Sequence, residues 1–338
     1  MADPELLISF LVVVRNERDY IEPCLQSMLH QTLAPTRYEI LVIDGMSTDG
    51  SRELIKQMID QHADRSVRLL DNPGRILSSG WNIGIKAARG RYVIRPDAHG
   101  EVPENFLQRS LAVMEAHPEA TAVGGIVDTQ GDGFWGETIA AVISSRVGVG
   151  GSSFRVGGEP GPSTTVVFGL YKRDELIDVG GFDEGLVVNQ DNVCHARLIA
   201  AGKMLYFDPS IRSTYRCRNS LIGLWKQMFR RSQWLVLMFK HQREQAFSAR
   251  YFMPLLFVCV IAGLLAGGVW QPLLWIILAA LMGVYVLVGV GAAARRNLSL
   301  AQVAAFPAAM FVLHCSYGLG EIVGFLRFPF YRPMRDRS

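Results

Sequence analysis

Charge is almost missing from one stretch of this 338-residue chain. The 76 positions from 251 to 326 carry only Arg295, Arg296 and Glu321, while the other 262 positions hold the remaining 62 of 65 charged side chains. That excludes a uniformly soluble composition and describes two compositions joined in one chain. Cysteine is scarce and poorly placed for cross-linking: Cys24, Cys194, Cys217, Cys259 and Cys315 are odd in number and never spaced as CxxC. Neither a disulfide framework nor a zinc ribbon follows, and a reducing setting fits the polar part. The first apolar run, residues 6–14, lacks the basic residues that open a signal peptide. Asp3 and Glu5 stand in their place and no small-residue cleavage site precedes Arg15, so the run reads as a buried strand. A surplus of one charge sign is also lacking, since 34 Lys and Arg face 31 Asp and Glu for a net +3. Disorder is excluded by the 49% hydrophobic content.

What is present is an alternation. Short apolar runs at 8–14, 40–44, 67–70, 92–95, 122–127, 165–171 and 204–207 are separated by amphipathic stretches at 20–29, 52–61, 79–89, 105–117 and 193–201. Nearly continuous apolar strands between helices predict an α/β domain over residues 1–210, with a mostly parallel sheet covered on both faces. Ligands of such sheets bind where strands end. Ser51 is placed to cap the second helix, and Pro103 to sit near the first turn of the fourth. Residues 148–162, GVGGSSFRVGGEPGP, are too rich in glycine and proline for a regular element, and they read as a mobile active-site loop rather than a linker.

Residues 211–250 form a basic amphipathic region in which Trp225, Phe229, Trp234 and Phe239 are interleaved with Lys and Arg. Basic plus aromatic composition suits nucleic acid or a membrane surface. The junction with apolar spans decides for anionic headgroups with Trp at the interface, and against nucleic acid. The region 251–326 predicts two transmembrane helices, 251–270 and 273–294, each able to cross about 30 Å of hydrocarbon. A third stretch, 298–326, is interrupted by Pro307, His314, Gly318, Gly320 and Glu321 and either spans or re-enters. Positive charge before Tyr251 and at Arg295 and Arg296 puts those sides in the cytoplasm, with the Gln271-Pro272 turn outside. The basic tail, 327–338, then favours re-entry, because its arginines would otherwise lie outside.

Polar clusters fall at the ends of predicted strands: Arg15-Asn16-Glu17, Asp44-Gly45-Met46-Ser47-Thr48-Asp49-Gly50-Ser51, Arg95-Pro96-Asp97-Ala98-His99, and Asn189-Gln190-Asp191-Asn192 ahead of the fifth helix. In a parallel sheet these ends share one edge and converge on one cleft.

With these motifs in order, residues 5–325 resemble glycosyltransferase family 2, inverting nucleotide-sugar transferases of GT-A fold, and especially its succinoglycan-type exopolysaccharide members. The family's opening Asn and Glu are matched by Asn16 and Glu17. Its DDGSTDGS signature is matched from Asp44 to Ser51, with Gly45 replacing the second aspartate. The resemblance implies that Asp44 contacts the nucleobase or ribose. It implies that Asp97 holds a divalent ion, Mn²⁺ or Mg²⁺, against the donor diphosphate; His99 departs from the family's Asp-Ala-Asp. An imidazole there tilts the choice toward Mn²⁺. His99 either ligates the ion or only hydrogen-bonds a loop carbonyl.

Gly180-Gly181-Phe182-Asp183-Glu184 and Gln190-Asp191 resemble the family's GGFDE and Glu-Asp, with Gln190 replacing the glutamate. Asp191 then matches the catalytic base that takes the proton of the attacking hydroxyl, against the alternative of a helix-capping carboxylate. Asn72-Pro73-Gly74-Arg75 with Ser79 and Asn82 resembles the stretch before the metal site, so Arg75 either pairs with the donor phosphates or sits in a solvated turn. Gln227-Met228-Phe229-Arg230-Arg231 is similar to the QxxRW of processive synthases, but Arg231 replaces the Trp, which argues against a polymer-extruding synthase. Arg218, Arg230 and Arg231 either bind phosphates of donor or lipid acceptor or simply face the membrane. Cys194 and Cys217 receive no role.

The resemblance implies a metal-dependent hexosyltransferase in the bacterial inner membrane, multi-pass, with its catalytic domain cytoplasmic. Its donor would be a UDP-sugar, its acceptor a hydroxyl of an undecaprenyl diphosphate saccharide, and its neighbours other exopolysaccharide assembly enzymes. A polyprenyl-phosphate glycosyl synthase and an inactive membrane-bound scaffold that binds sugar nucleotide are the alternatives, the first needing no base and the second resting on the departures at Gly45, His99 and Gln190.

Overall fold

The strand β1 (Ile8–Val14) is apolar at nearly every position because both of its faces are covered. Phe10, Val12 and Val14 enter one core while Leu11 and Val13 enter the other. The computed structural model describes residues 6–186, 188–238 and 249–331. The nine-stranded sheet adds β2 (Tyr38–Asp44), β3 (Val67–Asp71), β4 (Tyr92–Ile94), β5 (Gly100–Glu101), β6 (Ala120–Gln130), β7 (Gly161–Ser163), β8 (Leu170–Lys172) and β9 (Met204–Arg216). Its order is β3-β2-β1-β4-β8-β6-β9-β5, with β7 pairing β9. The pairs β3-β2, β2-β1 and β1-β4 are parallel; β4-β8, β8-β6, β9-β5 and β9-β7 are antiparallel. The sheet is therefore parallel through the half the sequence reads most clearly and mixed beyond it.

Helices α1 (Ile21–Leu29), α2 (Ser51–Gln61), α3 (Leu77–Ala87) and α4 (Phe106–Ala116) follow strands as expected. The apolar sides of α1, α2 and α4 share one core, and Trp81 and Ile85 of α3 enter the opposite one. Ser51 does not cap α2. Gly50 holds the cap position at φ 91°, and the fully buried Ser51 hydroxyl donates to Asp49 at 2.6 Å and accepts the Glu17 N–H at 2.9 Å. Pro103 lies before α4 rather than in it, its carbonyl accepting from the Phe106 N–H at 3.0 Å.

Two compact units emerge: 1–128 with 157–215, and 129–156 with 216–338, each taken over its described residues. A contiguous division at residue 210 hides this exchange. The segment 129–156 contains α5 (Gly133–Ile143), α6 (Arg146–Val149) and α7 (Ser153–Val156), so the predicted loop at 148–162 is largely two helical turns and β7. The first unit also holds α8 (Arg173–Asp178) and α9 (Gln190–Ala200), and of the predicted strand 165–171 Leu170 and Tyr171 are paired, in β8.

The second unit also holds α10 (Leu221–Leu237), α11 (Met253–Gly267), α12 (Leu273–Ala293) and α13 (Leu300–Arg327). Residues 239–248 of the basic region and 332–338 of the tail lie outside the described residues. The first predicted span is shortened: α11 covers 15 residues, about 23 Å, below the thickness of a hydrocarbon core. Among the described residues two helices, α12 and α13, are long and apolar enough to cross a membrane. The third apolar stretch does not turn back, because α13 runs unbroken for 28 residues, about 42 Å, through Pro307. Its glycines serve packing. A Cβ on Gly320 would collide with the Ser232 hydroxyl and the Phe229 carbonyl, and one on Gly324 would lie 2.8 Å from Val236, so α10 lies close against α13. Half of the most apolar stretch of α13 is buried inside this unit, against 6% of that of α12.

Candidate functional site

The carboxyl ends of β1, β2 and β4 open a cleft of about 270 Å³ in the first unit. Glu17, Arg75, Asp97 and His99 line it, together with Arg15, Gly45 and Asn72. Of the predicted residues, four are thus brought together, and Arg15 is an addition that its position one residue past β1 would have allowed. Asp97 is aligned by a parallel bridge between its backbone and Val13, and its carbonyl accepts from the Cys24 thiol at 3.6 Å. Burial pushes that thiol well above its ordinary range, with the nearby Asp97, Glu101 and Glu17 charges acting the same way.

Asn16 and Asp44 stand differently. The Asn16 side-chain Oδ1 accepts the Thr48 N–H at 2.9 Å while its backbone N–H donates to the Ser47 hydroxyl at 3.0 Å, joining the loops after β1 and β2. The Asp44 carboxylate is fully buried, accepts from Arg52 at 2.8 Å and takes the Ser47 N–H at 3.2 Å. The carboxylate, which the resemblance expects at the nucleobase or ribose, here shapes the loop, because a charge without exposed surface must be satisfied internally. Gly45 explains part of the departure from the signature. A Cβ there would lie 3.2 Å from Arg15 Cβ and 3.3 Å from the Val14 carbonyl, space that the arginine stem now takes.

Arg75 adopts φ 58°, and its carbonyl accepts from Arg15 Nη1 at 3.1 Å. The turn is fixed by Ser79, which donates to Asn72 at 2.7 Å, and by Asn72, which donates to the Ile76 carbonyl at 2.9 Å. Asn82 grips the GGFDE loop from α3, donating to the Phe182 carbonyl at 2.9 Å and to Glu184 at 2.8 Å. Gly180 and Gly181 take φ 82° and 63°, which side chains other than glycine resist.

Asp191 lies in the first turn of α9, one residue inside the helix, where the helix dipole favours a carboxylate. Asn189 occupies the cap, and the Asp191 carboxylate accepts its neighbour's N–H, that of Asn192, at 2.9 Å. Its side chain is 30% exposed, and the Nη2 of Arg95 lies 4.0 Å away. Arg95 went unnoticed in the sequence beyond its place before Asp97. Its guanidinium carbon sits 4.4 Å from the Trp81 ring and 5.0 Å from Phe182. Burial works against its charge, but Tyr171, Asp191 and Asp97 outweigh that and hold it firmly cationic. Behind it, Arg95 donates to the Tyr171 hydroxyl at 3.4 Å, and that hydroxyl meets His195 Nε2 at 2.7 Å. Burial, reinforced by the Arg95 charge, pushes His195 down to about 3, so the imidazole is neutral. Burial lifts Tyr171 to about 12. The chain Asp191, Arg95, Tyr171, His195, Thr165 is thus a polar spine through the apolar core of the first unit. Burial also raises Cys194 and Cys217, each to about 11, which makes thiols and not thiolates of both.

For a divalent ion the donor set is partial. Asp97 and His99 line the cleft, and His99 Nδ1 stands 3.7 Å from Glu17 Oε1. Among the described residues no group of three or more ligating side chains is assembled. One carboxylate and an imidazole suit an ion that takes its other ligands from a diphosphate and water, as hard divalent cations do. In the second unit Arg218 and Arg230 are exposed, while Arg231 lines a separate cavity.

Comparison with known proteins now fits this geometry. Residues 9–162 match the model for glycosyl transferase family 2. A dolichyl N-acetyl-alpha-D-glucosaminyl phosphate 3-beta-D-2,3-diacetamido-2,3-dideoxy-beta-D-glucuronosyltransferase from Methanococcus voltae is 33% identical over 229 residues, 65% of this chain and 70% of that protein. The succinoglycan biosynthesis protein ExoA of Rhizobium meliloti (strain 1021) is 31% identical over 225 residues, 65% of this chain and 67% of that protein. The mannosyltransferase PcManGT from Pyrobaculum calidifontis, solved with GDP-Man and Mn²⁺, shares the fold at a TM-score of 0.59 and 18% identity, covering 96% of this chain and 87% of that one. A GT-A sheet whose strand ends gather these motifs, together with relatives above 30% identity, shows that this chain belongs to glycosyltransferase family 2.

Proposed function

We propose that this glycosyltransferase moves a hexosyl group from a UDP-sugar to a hydroxyl of a saccharide carried on a polyprenyl phosphate or diphosphate, with inversion, at the cytoplasmic side of a bacterial membrane. The observation that carries the reading is the Arg95 bridge. It sets Asp191 4.0 Å from the arginine two residues before Asp97, and Asp97 lines the cleft with Arg15, Arg75 and Glu17. Cations opposite a carboxylate with an adjacent imidazole suit a nucleoside diphosphate held by Arg15 and Arg75. Asp97 and His99 would hold a divalent ion, which supplies charge neutralisation to the departing diphosphate.

Asp191, partly exposed, 4.0 Å from Arg95 and in the first turn of α9, accepts the proton of the acceptor hydroxyl as it attacks the anomeric carbon from the face opposite the nucleotide. An α-linked donor then gives a β product. The beta linkage in the name of the M. voltae relative and the dolichyl phosphate in its acceptor support this class of acceptor. The apolar helices α12 and α13 support residence at a membrane, where other exopolysaccharide assembly enzymes would supply and consume the lipid-linked saccharide.

The test is release of nucleoside diphosphate by detergent-purified protein given Mn²⁺ or Mg²⁺, UDP- and GDP-sugars, and a lipid-linked saccharide extract. Metal-dependent release with a UDP-sugar, lost in Asp191→Asn, is expected. Equal activity of the variant would remove Asp191 as base. Turnover with GDP-sugars only would correct the donor, and tight UDP binding without turnover would favour the inactive scaffold.

A further inference from the structure

The second unit contains a larger cavity, about 470 Å³, that neither the nucleotide cleft nor the base accounts for. Among the described residues its charged lining is of one sign: Arg146, Arg155 and Arg231 approach it from three different helices, and no described carboxylate lines it. The rest of the wall is apolar and aromatic: Met228, Phe257, Tyr285 and Leu313 contribute, with Phe257 and Tyr285 stacked at 5.1 Å. His314 fastens the glycine-rich segment to this wall, with Nε2 at 3.1 Å from the Gly148 carbonyl and Nδ1 at 2.9 Å from the Tyr285 hydroxyl. Since the carbonyl only accepts, Nε2 donates and Nδ1 receives the phenol proton. The imidazole is thereby used in holding the segment, and the cationic face is made by the three guanidinium groups, of which Arg155 also donates from Nη1 to the Thr129 hydroxyl at 2.6 Å.

A cavity that is cationic on one side and apolar on the other matches an amphiphile whose anionic head is joined directly to a hydrocarbon chain. The neighbouring helices extend the match. No residue of α11 is fully buried and only 6% of the most apolar stretch of α12 is, so both helices offer apolar surface to hydrocarbon in the membrane reading. We propose that this cavity binds the phosphate or diphosphate and the first isoprenoid units of the polyprenyl carrier, making it the lipid subsite of the acceptor. This rests on the lipid-linked acceptor assigned above. It gives a structural use to the segment 146–156, and of the arginines expected at the membrane it selects Arg231, not Arg218 or Arg230.

The test uses the full chain in detergent and native mass spectrometry with geranylgeranyl diphosphate as probe. Competitors are geranylgeraniol, inorganic diphosphate, UDP and dioleoylphosphatidylglycerol. The probe is expected to bind, with geranylgeraniol and inorganic diphosphate each at least about tenfold weaker because each offers one half of the match. Arg146→Gln combined with Arg231→Gln should weaken the probe by about tenfold or more through loss of charge-assisted hydrogen bonds. Met228→Trp, which fills the apolar side and leaves the arginines, should weaken it as well. Equal competition by inorganic diphosphate or UDP would reduce the cavity to an anion site and overturn the proposal. Equal competition by the phospholipid would overturn it in favour of ordinary membrane lipid. Unchanged binding in both variants would place the probe elsewhere. Asp191→Asn separates this from the transferase reading, since it should bind the probe as wild type does. If it also kept full turnover, the base assignment would fall while the lipid subsite stood.

Discussion

Arg95→Met is the most informative single change. It removes a guanidinium whose Nη2 lies 4.0 Å from the Asp191 carboxylate and leaves an unbranched stem between Trp81 and Phe182. Two unit charges at 4 Å interact by about 4 kcal/mol at an effective dielectric constant near 20. Asp191 keeps 30% of its side chain exposed, and screening there reduces the figure to roughly 1–1.5 kcal/mol. The sign follows from charge. Arg95 favours the ionised form of Asp191, so with Asp191 as the proposed base its loss should move the acidic limb of kcat/KM upward. The assay is nucleoside diphosphate release by wild type and variant between about pH 5 and pH 9, with donor KM measured at each pH. Melting should fall, because the Tyr171 hydroxyl and Asp191 each lose a partner while remaining in place, so the two proteins are compared at a temperature where both are folded. An acidic limb that stays at the wild-type pH, with donor KM unchanged, would refute the coupling of Arg95 to the base.

Other consequences are equally direct. His195 is held neutral in the fold, below its ordinary value, so the unfolded chain binds the extra proton first and stability is lost as pH falls from about 6.5; thermal melts from pH 7 to pH 5 should be steeper for wild type than for His195→Gln, and parallel slopes would contradict this. Gly320→Val should destabilise the second unit by about 1–3 kcal/mol or more, because its side chain meets Ser232 and the Phe229 backbone, whereas Gly263→Ala, with nothing within 4 Å, should be neutral or slightly stabilising. Protease resistance of the two variants checks both. Chelation should abolish turnover, and His99→Asp should shift the preference from Mn²⁺ toward Mg²⁺. An unchanged ratio of the two activities would show that His99 is not a ligand.

Much of the first unit was legible because local pattern and tertiary environment agree there. The run ISFLVVV is β1 with the expected ends, and the helices after β1, β2 and β3 lie within two residues of their predicted positions at each end. The second half of the sheet was less legible. β5, β7 and β8 are two or three residues long, too short for a period to be read, and their antiparallel pairing is set by partners far away in sequence. The same limit applied to 298–326: proline, histidine and glycines read as interruptions, yet Gly320 and Gly324 are where α10 comes close.

The sequence by itself determined the family, the α/β class, the apolar C-terminal region and the set of polar motifs, because each is written in residue type and short spacing. Tertiary structure alone decided which of those residues share a cleft. It buried Asp44 against Arg52, joined Asn16 to the second loop, and set Arg95 between Asp191 and the Tyr171–His195 pair. It also gathered Arg146, Arg155 and Arg231 around one apolar cavity. Such groupings depend on how strands and helices distant in the chain pack together, and spacing along the sequence carries no record of that distance.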